Sequence, residues 1–346
     1  MRIAIMGAGA LGIVVGAFMA EKGLDVDLVV AHPENARALS ERGAVITGTI
    51  EKTVPVRAMT PENVSGRYDH VFLLAKRTAN PDILPRLPGH LHPASTVCTL
   101  QNGVPEEEVA EAVGASRTVG GVVLFGATRE APGVTRITSS RELFEKYAFQ
   151  VGETDGRLTP RIEEVRALLA QVGGCQAIDN LMSLRWAKLL VNCTFGAITS
   201  MLGSPAGDIL ENRQAMEFVS RVADETIRVA HACGHRLAPL QGKDMERFQF
   251  EPGQNLDDKM PFYLEFFSPW AKTTGSPLQD LIQGRKTEIG HLNGYVCRKA
   301  AERGLPAPAN AIVLKLITEA EARPGRPDFA ANLARATALL RESAAS

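Results

Sequence analysis

Cysteine is scarce in this sequence, and the five present, Cys98, Cys175, Cys193, Cys233 and Cys297, are odd in number, widely spaced and never arranged as C-x-x-C. That pattern argues against a disulfide framework or a zinc knot and fits reduced thiols in a cytoplasmic protein. Neither sign of charge is in excess, with 38 Lys plus Arg against 39 Asp plus Glu. The balance gives no general attraction to nucleic acid or to anionic lipid, so a small molecule is the expected partner. No segment approaches the roughly 18 consecutive apolar residues of a membrane span. A nucleophile elbow of the G-x-S-x-G kind is also missing. His231-Ala232-Cys233-Gly234-His235 has metal-like spacing, but Gly234 ends the helix between the ligands and no carboxylate follows, so no metal is expected.

The chain has 346 residues, long enough for two domains with an apolar core each. Arg2 to Met6 reads as a buried strand, Ala10 to Lys22 as a helix and Asp25 to Val30 as a second strand, which is one βαβ unit. A signal peptide would end differently: the apolar start holds three glycines, and Glu21 to Val26 continues as a helix end feeding a strand. Further strand-like runs lie at Val71 to Ala75, Thr96 to Leu100, Thr118 to Gly126, Gly133 to Thr138 and Tyr147 to Gly152, some of them expected to pair antiparallel. A helix from Pro160 to Val172 closes this half. Beyond about residue 180 long helical periods take over at Leu181 to Leu202, Asp208 to Cys233, Ser276 to Arg303 and Asp328 to Ser343. The expected architecture is an α/β Rossmann-type N-terminal domain over residues 1–179 and an all-α C-terminal domain over 180–346. The site is expected in the cleft between the halves.

Gly7-Ala8-Gly9-Ala10-Leu11-Gly12 directly follows the first strand. In a G-x-G-x-x-G loop the first glycine makes the tight turn, the second lets backbone approach a pyrophosphate, and the third lets helix pack on sheet. The diphosphate then sits on the helix N-terminus. Strand before and helix after make this a dinucleotide site formed by Gly7, Gly9, Ala10, Leu11 and Gly12. A carboxylate at the end of the second strand would select NAD, and a cation there NADP. Here the segment is Ala31-His32-Pro33-Glu34, with Asp25 and Asp27 too early in the strand. His32 and Arg37 could cradle the extra phosphate, or be ordinary surface residues; NADP is the expected coenzyme.

Lys188 and Asn192 lie four residues apart in a helical pattern and share a face. Among Trp186, Leu189, Leu190 and Val191, the lysine is either a snorkelling surface residue or a positioned acid. Hydride delivered to a ketone carbon leaves a developing alkoxide, which a desolvated ammonium can stabilise and protonate. Ser276-Pro277-Leu278-Gln279 reads first as a helix start with Ser276 as N-cap. Glu288 reads on spacing as a solvated charge on the helix that follows.

Several of these motifs together resemble the ketopantoate reductase family. They are Gly7 to Gly12, Lys76 after a strand-like run, Gln101-Asn102-Gly103-Val104, Trp186 to Cys193, and Thr287-Glu288-Ile289-x-x-Leu292-Asn293-Gly294. The last block is the most specific, whereas Lys-x-x-x-Asn also occurs in the wider hydroxyacid dehydrogenase group. The resemblance implies NADPH-dependent reduction of 2-dehydropantoate (ketopantoate) to pantoate, a step of pantothenate biosynthesis. It implies Lys188 as proton donor, Glu288 orienting the lysine or a substrate hydroxyl, and Asn192 and Ser276 binding substrate oxygens. Asn102 and Lys76 would contact the coenzyme and border the substrate.

The sequence departs from that pattern in three places. Gly196 stands where the family has a second asparagine, Ala206 replaces another polar residue, and the NADP-type arginine at the second strand end is missing. In addition, Phe248, Phe250, Phe262, Tyr263, Phe266, Phe267 and Trp270 crowd into one short segment. They either pack an extra helical piece, or line a homodimer interface, or wall a pocket for a bulkier 2-keto acid. A reductase of such an acid and a non-catalytic NAD(P)-sensing protein are the alternative readings.

Overall fold

The computed structural model describes residues 1–323 and 325–345, and the chain divides into two compact units, Met1–Leu181 and Met182–Ser346. Among the described residues the first unit carries twelve strands. In chain order they are β1 (Arg2–Met6), β2 (Asp25–Val29), β3 (Ala44–Gly48), β4 (Lys52–Val54), β5 (Arg57–Met59), β6 (Tyr68–Leu73), β7 (Leu91–Thr99), β8 (Thr118–Val123), β9 (Ala127–Ala131), β10 (Val134–Ile137), β11 (Phe149–Gly152) and β12 (Cys175–Ala177).

The main sheet has the order β12-β11-β8-β7-β6-β1-β2-β5. Its pairs are parallel except β11 with β8. The order in which successive strands are added reverses at β1, which is flanked by the parallel β2 on one side and the parallel β6 on the other. In open α/β sheets that switch point is where ligands bind, at the carboxyl ends of the strands. The Gly7 to Gly12 loop leaves β1 at that end.

Alternation along the strands builds the two faces. Ile3 and Ile5 join one core with Phe72, Cys98 and the helix residues Ile13, Val14 and Ala17, while Ala4 and Met6 join another with Val71, Leu73, Val97 and Val109. Both sides of the sheet are therefore covered, as parallel sheets require. A second sheet, β4-β3-β10-β9, is mixed; its β10 and the antiparallel β8–β11 pair of the main sheet are the antiparallel strands expected in this half.

The second unit is helical. Three of the long periods read from sequence are broken. Leu181–Val191 passes into a π turn, Asn192–Gly196, before Ala197–Leu202 resumes. Asp208 to Cys233 divides at Asn212, whose side chain caps the Arg213–Ala232 helix through Ala215 N at 3.0 Å. Ser276 to Arg303 divides into Ser276–Ile282, a 3-10 turn at Ile289–His291 and Asn293–Glu302, with Gly284 at φ 64° in the gap. Helices at Leu256–Phe267 and Pro308–Glu321 complete the unit with Phe329–Ala345. Among the described residues no helix is long and apolar enough to cross a membrane.

Candidate active site

The glycine loop has the geometry that a dinucleotide needs. Gly7 sits at φ 95°, and a Cβ there would lie 2.2 Å from the backbone nitrogen of Ala75. At Gly12 a Cβ would meet the Gly7 carbonyl at 2.5 Å, whereas at Gly9 it would meet nothing within 4 Å. Two glycines are thus demanded by the fold, and the third opens a face without crowding. Gly9 also caps the Ala10–Glu21 helix without any side-chain oxygen or first-turn acid. Its first N–H groups are left to an anion, and the residues present fit a pyrophosphate.

Lys76 is exposed at the end of β6, next to Ala75, whose N–H bonds the Met6 carbonyl at 3.0 Å. Half-buried Asn102 follows Gln101, whose Nε2 donates to Ala75 O at 2.8 Å and Asn80 Oδ1 at 2.7 Å. That buried amide ties the loops after β6 and β7 together, which places Lys76 and Asn102 at the same sheet end as the glycines. His32 and Arg37 are exposed at the start of the Pro33–Arg42 helix, just beyond β2. Asp27 is fully buried and engaged elsewhere: it accepts from Arg2 Nη2 at 2.8 Å and Tyr68 Oη at 2.9 Å, and pairs with Arg57. Asp25 also pairs with Arg57, which holds its carboxyl below the usual range.

In the helical unit Lys188 is half-buried between the buried Ala187 and Leu189. Burial first, and then the guanidinium of Arg185 one turn earlier, lower its pKa from 10.5 to about 7; the Glu288 carboxylate acts in the opposite direction. Glu288 is not the solvated helix charge that spacing suggested. It is 7% exposed and lies off any helix, because the helix starting at Ser276 ends at Ile282. The neighbouring Thr287 holds the turn, donating from N at 2.9 Å and from Oγ1 at 2.6 Å to Glu321.

Asn192 opens the π turn, and its Nδ2 is buried with no hydrogen-bond partner among the described residues. An orphaned donor one helical turn from an ammonium is suited to a ligand oxygen. Ser276 is at the first position of its helix rather than the cap, which Gly275 occupies. The reason is close backbone approach: Gly275 N donates to Thr199 Oγ1 at 2.8 Å, and a Cβ on Gly275 would lie 1.7 Å from the Gly196 carbonyl. That contact brings Ser276 beside the turn bearing Asn192. Gly196 itself has space for a Cβ, its nearest neighbour being the Val191 carbonyl at 3.5 Å. The helical unit therefore gathers Lys188, Asn192, Glu288 and Ser276. Arg185 went unnoticed in the sequence, although a second cation three residues before Lys188 in an apolar helix was its signal.

The aromatic segment is a packed cluster. Phe248, Phe262, Tyr263, Phe266 and Phe267 are buried, and Trp270 is half-buried against Phe266 at 5.5 Å between centroids. Phe267 reaches the π turn through Phe195. His231 Nε2 bonds Glu246 at 2.7 Å, and among the described residues no three His, Cys, Asp or Glu side chains group as a metal site.

A parallel sheet with a glycine loop at its switch point and a helical unit holding a desolvated lysine define a two-domain oxidoreductase acting on CH–OH groups. Residues 3–145 match the family described as ketopantoate reductase PanE/ApbA, and residues 180–321 match its C-terminal domain. The chain belongs to the ketopantoate reductase family. It is 29% identical over 327 residues to 2-dehydropantoate 2-reductase of Archaeoglobus fulgidus, covering 92% of this chain and 98% of that one. The crystal structure of 2-dehydropantoate 2-reductase from Geobacter metallireducens is 29% identical with a TM-score of 0.77, covering 92% of this chain and 100% of that one. D-mandelate dehydrogenase, solved with NADH and anilino(oxo)acetate, shares the fold at a TM-score of 0.78 and 22% identity, covering 93% and 99% of the two chains. Family membership sets aside the reading as a non-catalytic sensor.

Proposed function

We propose that the protein reduces ketopantoate to pantoate with NADPH, the reductive step of pantothenate biosynthesis. The observation that carries this reading is Lys188, a half-buried ammonium that burial and Arg185 lower to a pKa of about 7 against the opposing pull of Glu288. When bound, the reduced nicotinamide supplies hydride to the ketone carbon. Lys188 Nζ donates a proton to the ketone oxygen as that oxygen gains negative charge, leaving a neutral amine and the product hydroxyl. A pKa near neutrality keeps the acid both populated and willing to give up its proton. Glu288 orients the ammonium or a substrate hydroxyl, and Asn192 Nδ2 and Ser276 Oγ donate to substrate oxygens. Gly7, Gly9, Ala10, Leu11 and Gly12 hold the coenzyme diphosphate, with Lys76 and Asn102 bordering the nicotinamide end. Exposed His32 and Arg37, together with an Asp27 engaged by Arg2, Arg57 and Tyr68, support NADPH over NADH.

A second reading keeps this chemistry and enlarges the substrate. The side-chain space at Gly196, beside an aromatic cluster that reaches Phe195, supports a bulkier 2-keto acid. Oxidation of NADPH followed at 340 nm with ketopantoate, 2-ketoisovalerate, pyruvate and phenylglyoxylate decides between the readings. Ketopantoate should give the highest kcat/KM. A preference for phenylglyoxylate would favour the second reading, and no oxidation with any acid would remove both.

A further inference from the structure

A π turn is a rare widening of a helix that needs outside support and recurs at functional sites. Here the Ala197 N–H reaches back five residues to the Asn192 carbonyl. Part of the support is local: Thr194 Oγ1 donates to Leu190 O at 2.7 Å, and Ser200 Oγ to Gly196 O at 2.9 Å. One tie comes from another helix. Asn293, fully buried, donates from Nδ2 to the Cys193 carbonyl at 3.1 Å and to Asn310 Oδ1 at 3.0 Å.

Behind Asn310 stands Glu225, a buried carboxylate to which the proposed reaction gives no role. It accepts from Ala309 N at 2.9 Å, Asn310 N at 3.0 Å and Asn310 Nδ2 at 2.9 Å. Ala307 offers no side-chain cap to the Pro308–Glu321 helix, so Glu225 satisfies its first-turn donors from a different helix. The carboxylate only accepts, which fixes Asn310 with Nδ2 toward Glu225 and Oδ1 toward Asn293. That in turn fixes Asn293 with Nδ2 toward the Cys193 carbonyl. Asn310 thus has its orientation imposed from both ends, while Asn293 is set through Nδ2, its buried Oδ1 making no hydrogen bond among the described residues.

We infer that Asn293 is a positioning residue for Asn192: held by Asn310 and Glu225, its amide anchors the Cys193 carbonyl and thereby fixes the turn that aims Asn192 at the substrate. This rests on the reading of Asn192 as a substrate ligand. Its action is indirect, since Asn293 bonds the backbone next to Asn192.

The test is Asn293→Leu, made alone and in an Asn192→Ala background, with steady-state kinetics on the preferred 2-keto acid and hydrogen exchange of peptides covering residues 190–200. Alone, it should lower kcat/KM about 10- to 100-fold, as small misplacements of a binding group do, with NADPH affinity unchanged. In the Asn192→Ala background it should cost little more, and exchange at 192–198 should quicken. Equal losses in the two backgrounds, or unaltered exchange, would overturn the proposal. If Asn293→Leu does not fold, Glu225→Gln, which removes the charge that orients Asn310, carries the same comparison with a smaller loss. A wild type that reduced no 2-keto acid would remove the functional reading, while the exchange measurement would still decide the anchor.

Discussion

Phe195 lies nearly face to face with Phe267, their ring centroids 3.8 Å apart and their planes inclined by 26°. Phe195 belongs to the π turn that Asn192 opens, so the aromatic segment is fastened to a turn of the candidate site. Stacked pairs contribute about 1 kcal/mol beyond the area they bury. Phe267→Leu should therefore lower thermal stability by roughly that amount and shift the relative kcat/KM among 2-keto acids of different bulk. An unchanged preference across the substrate panel would leave the cluster a purely structural element.

Lys188 must be an ammonium to donate a proton, and that form predominates below its pKa of about 7. Keto acid reduction should consequently fall as pH rises through about 7, with the reverse oxidation favoured above it. Lys188→Ala should cost about 10²- to 10⁴-fold in turnover while NADPH titrates normally. Lys188→Arg should be similarly inactive, because a guanidinium keeps its proton at neutral pH. A flat pH–rate profile would assign proton donation to another group.

Two of the three glycines of the loop after β1, Gly7 and Gly9, should separate fold from binding. Gly7→Ala places a Cβ on Ala75 at a positive φ and should destabilise by more than about 1 kcal/mol, read as a lower melting temperature. Gly9→Ala enters open space, so melting should hold steady while the Kd for NADPH rises. Equal melting losses at both positions would contradict the assignment of Gly9 to the ligand.

Asp27 and Arg37 should divide in the same manner. Asp27→Asn disturbs buried hydrogen bonds and should cost about 1–3 kcal/mol of stability without altering the ratio of NADPH to NADH affinity. Arg37→Ala should leave melting intact and weaken NADPH about tenfold relative to NADH, the worth of one charge-assisted contact. Thermal melts and coenzyme titrations on both variants check the pair.

Local patterning carried much of this molecule. The alternation of Ile3 and Ile5 with Ala4 and Met6 places β1 at the centre of a two-faced sheet, and Gly7 to Gly12 follows from it. What spacing missed was imposed by tertiary contacts. The run from Leu181 to Leu202 is continuous in sequence, yet it widens at Asn192, where the Asn293 side chain of another helix binds the Cys193 carbonyl. The helix expected through Glu288 is interrupted near Gly284 and held as a turn by Thr287 and Glu321, which leaves a carboxylate buried that helical spacing would have put in water. Ser276 lost the cap to Gly275 because only a residue without Cβ can meet Gly196 there. The aromatic segment was visible as a cluster, but its attachment to Phe195 depends on a contact between residues distant in the chain.

The packing of Gly7 on Ala75 also limits transplantation. A loop of this design moved into a foreign sheet would need a small residue at the matching end of the adjoining strand, since a larger side chain would press on the backbone that makes the turn. Grafts that carry the three glycines but not their neighbour's alanine should express as poorly folded chains before any question of coenzyme arises.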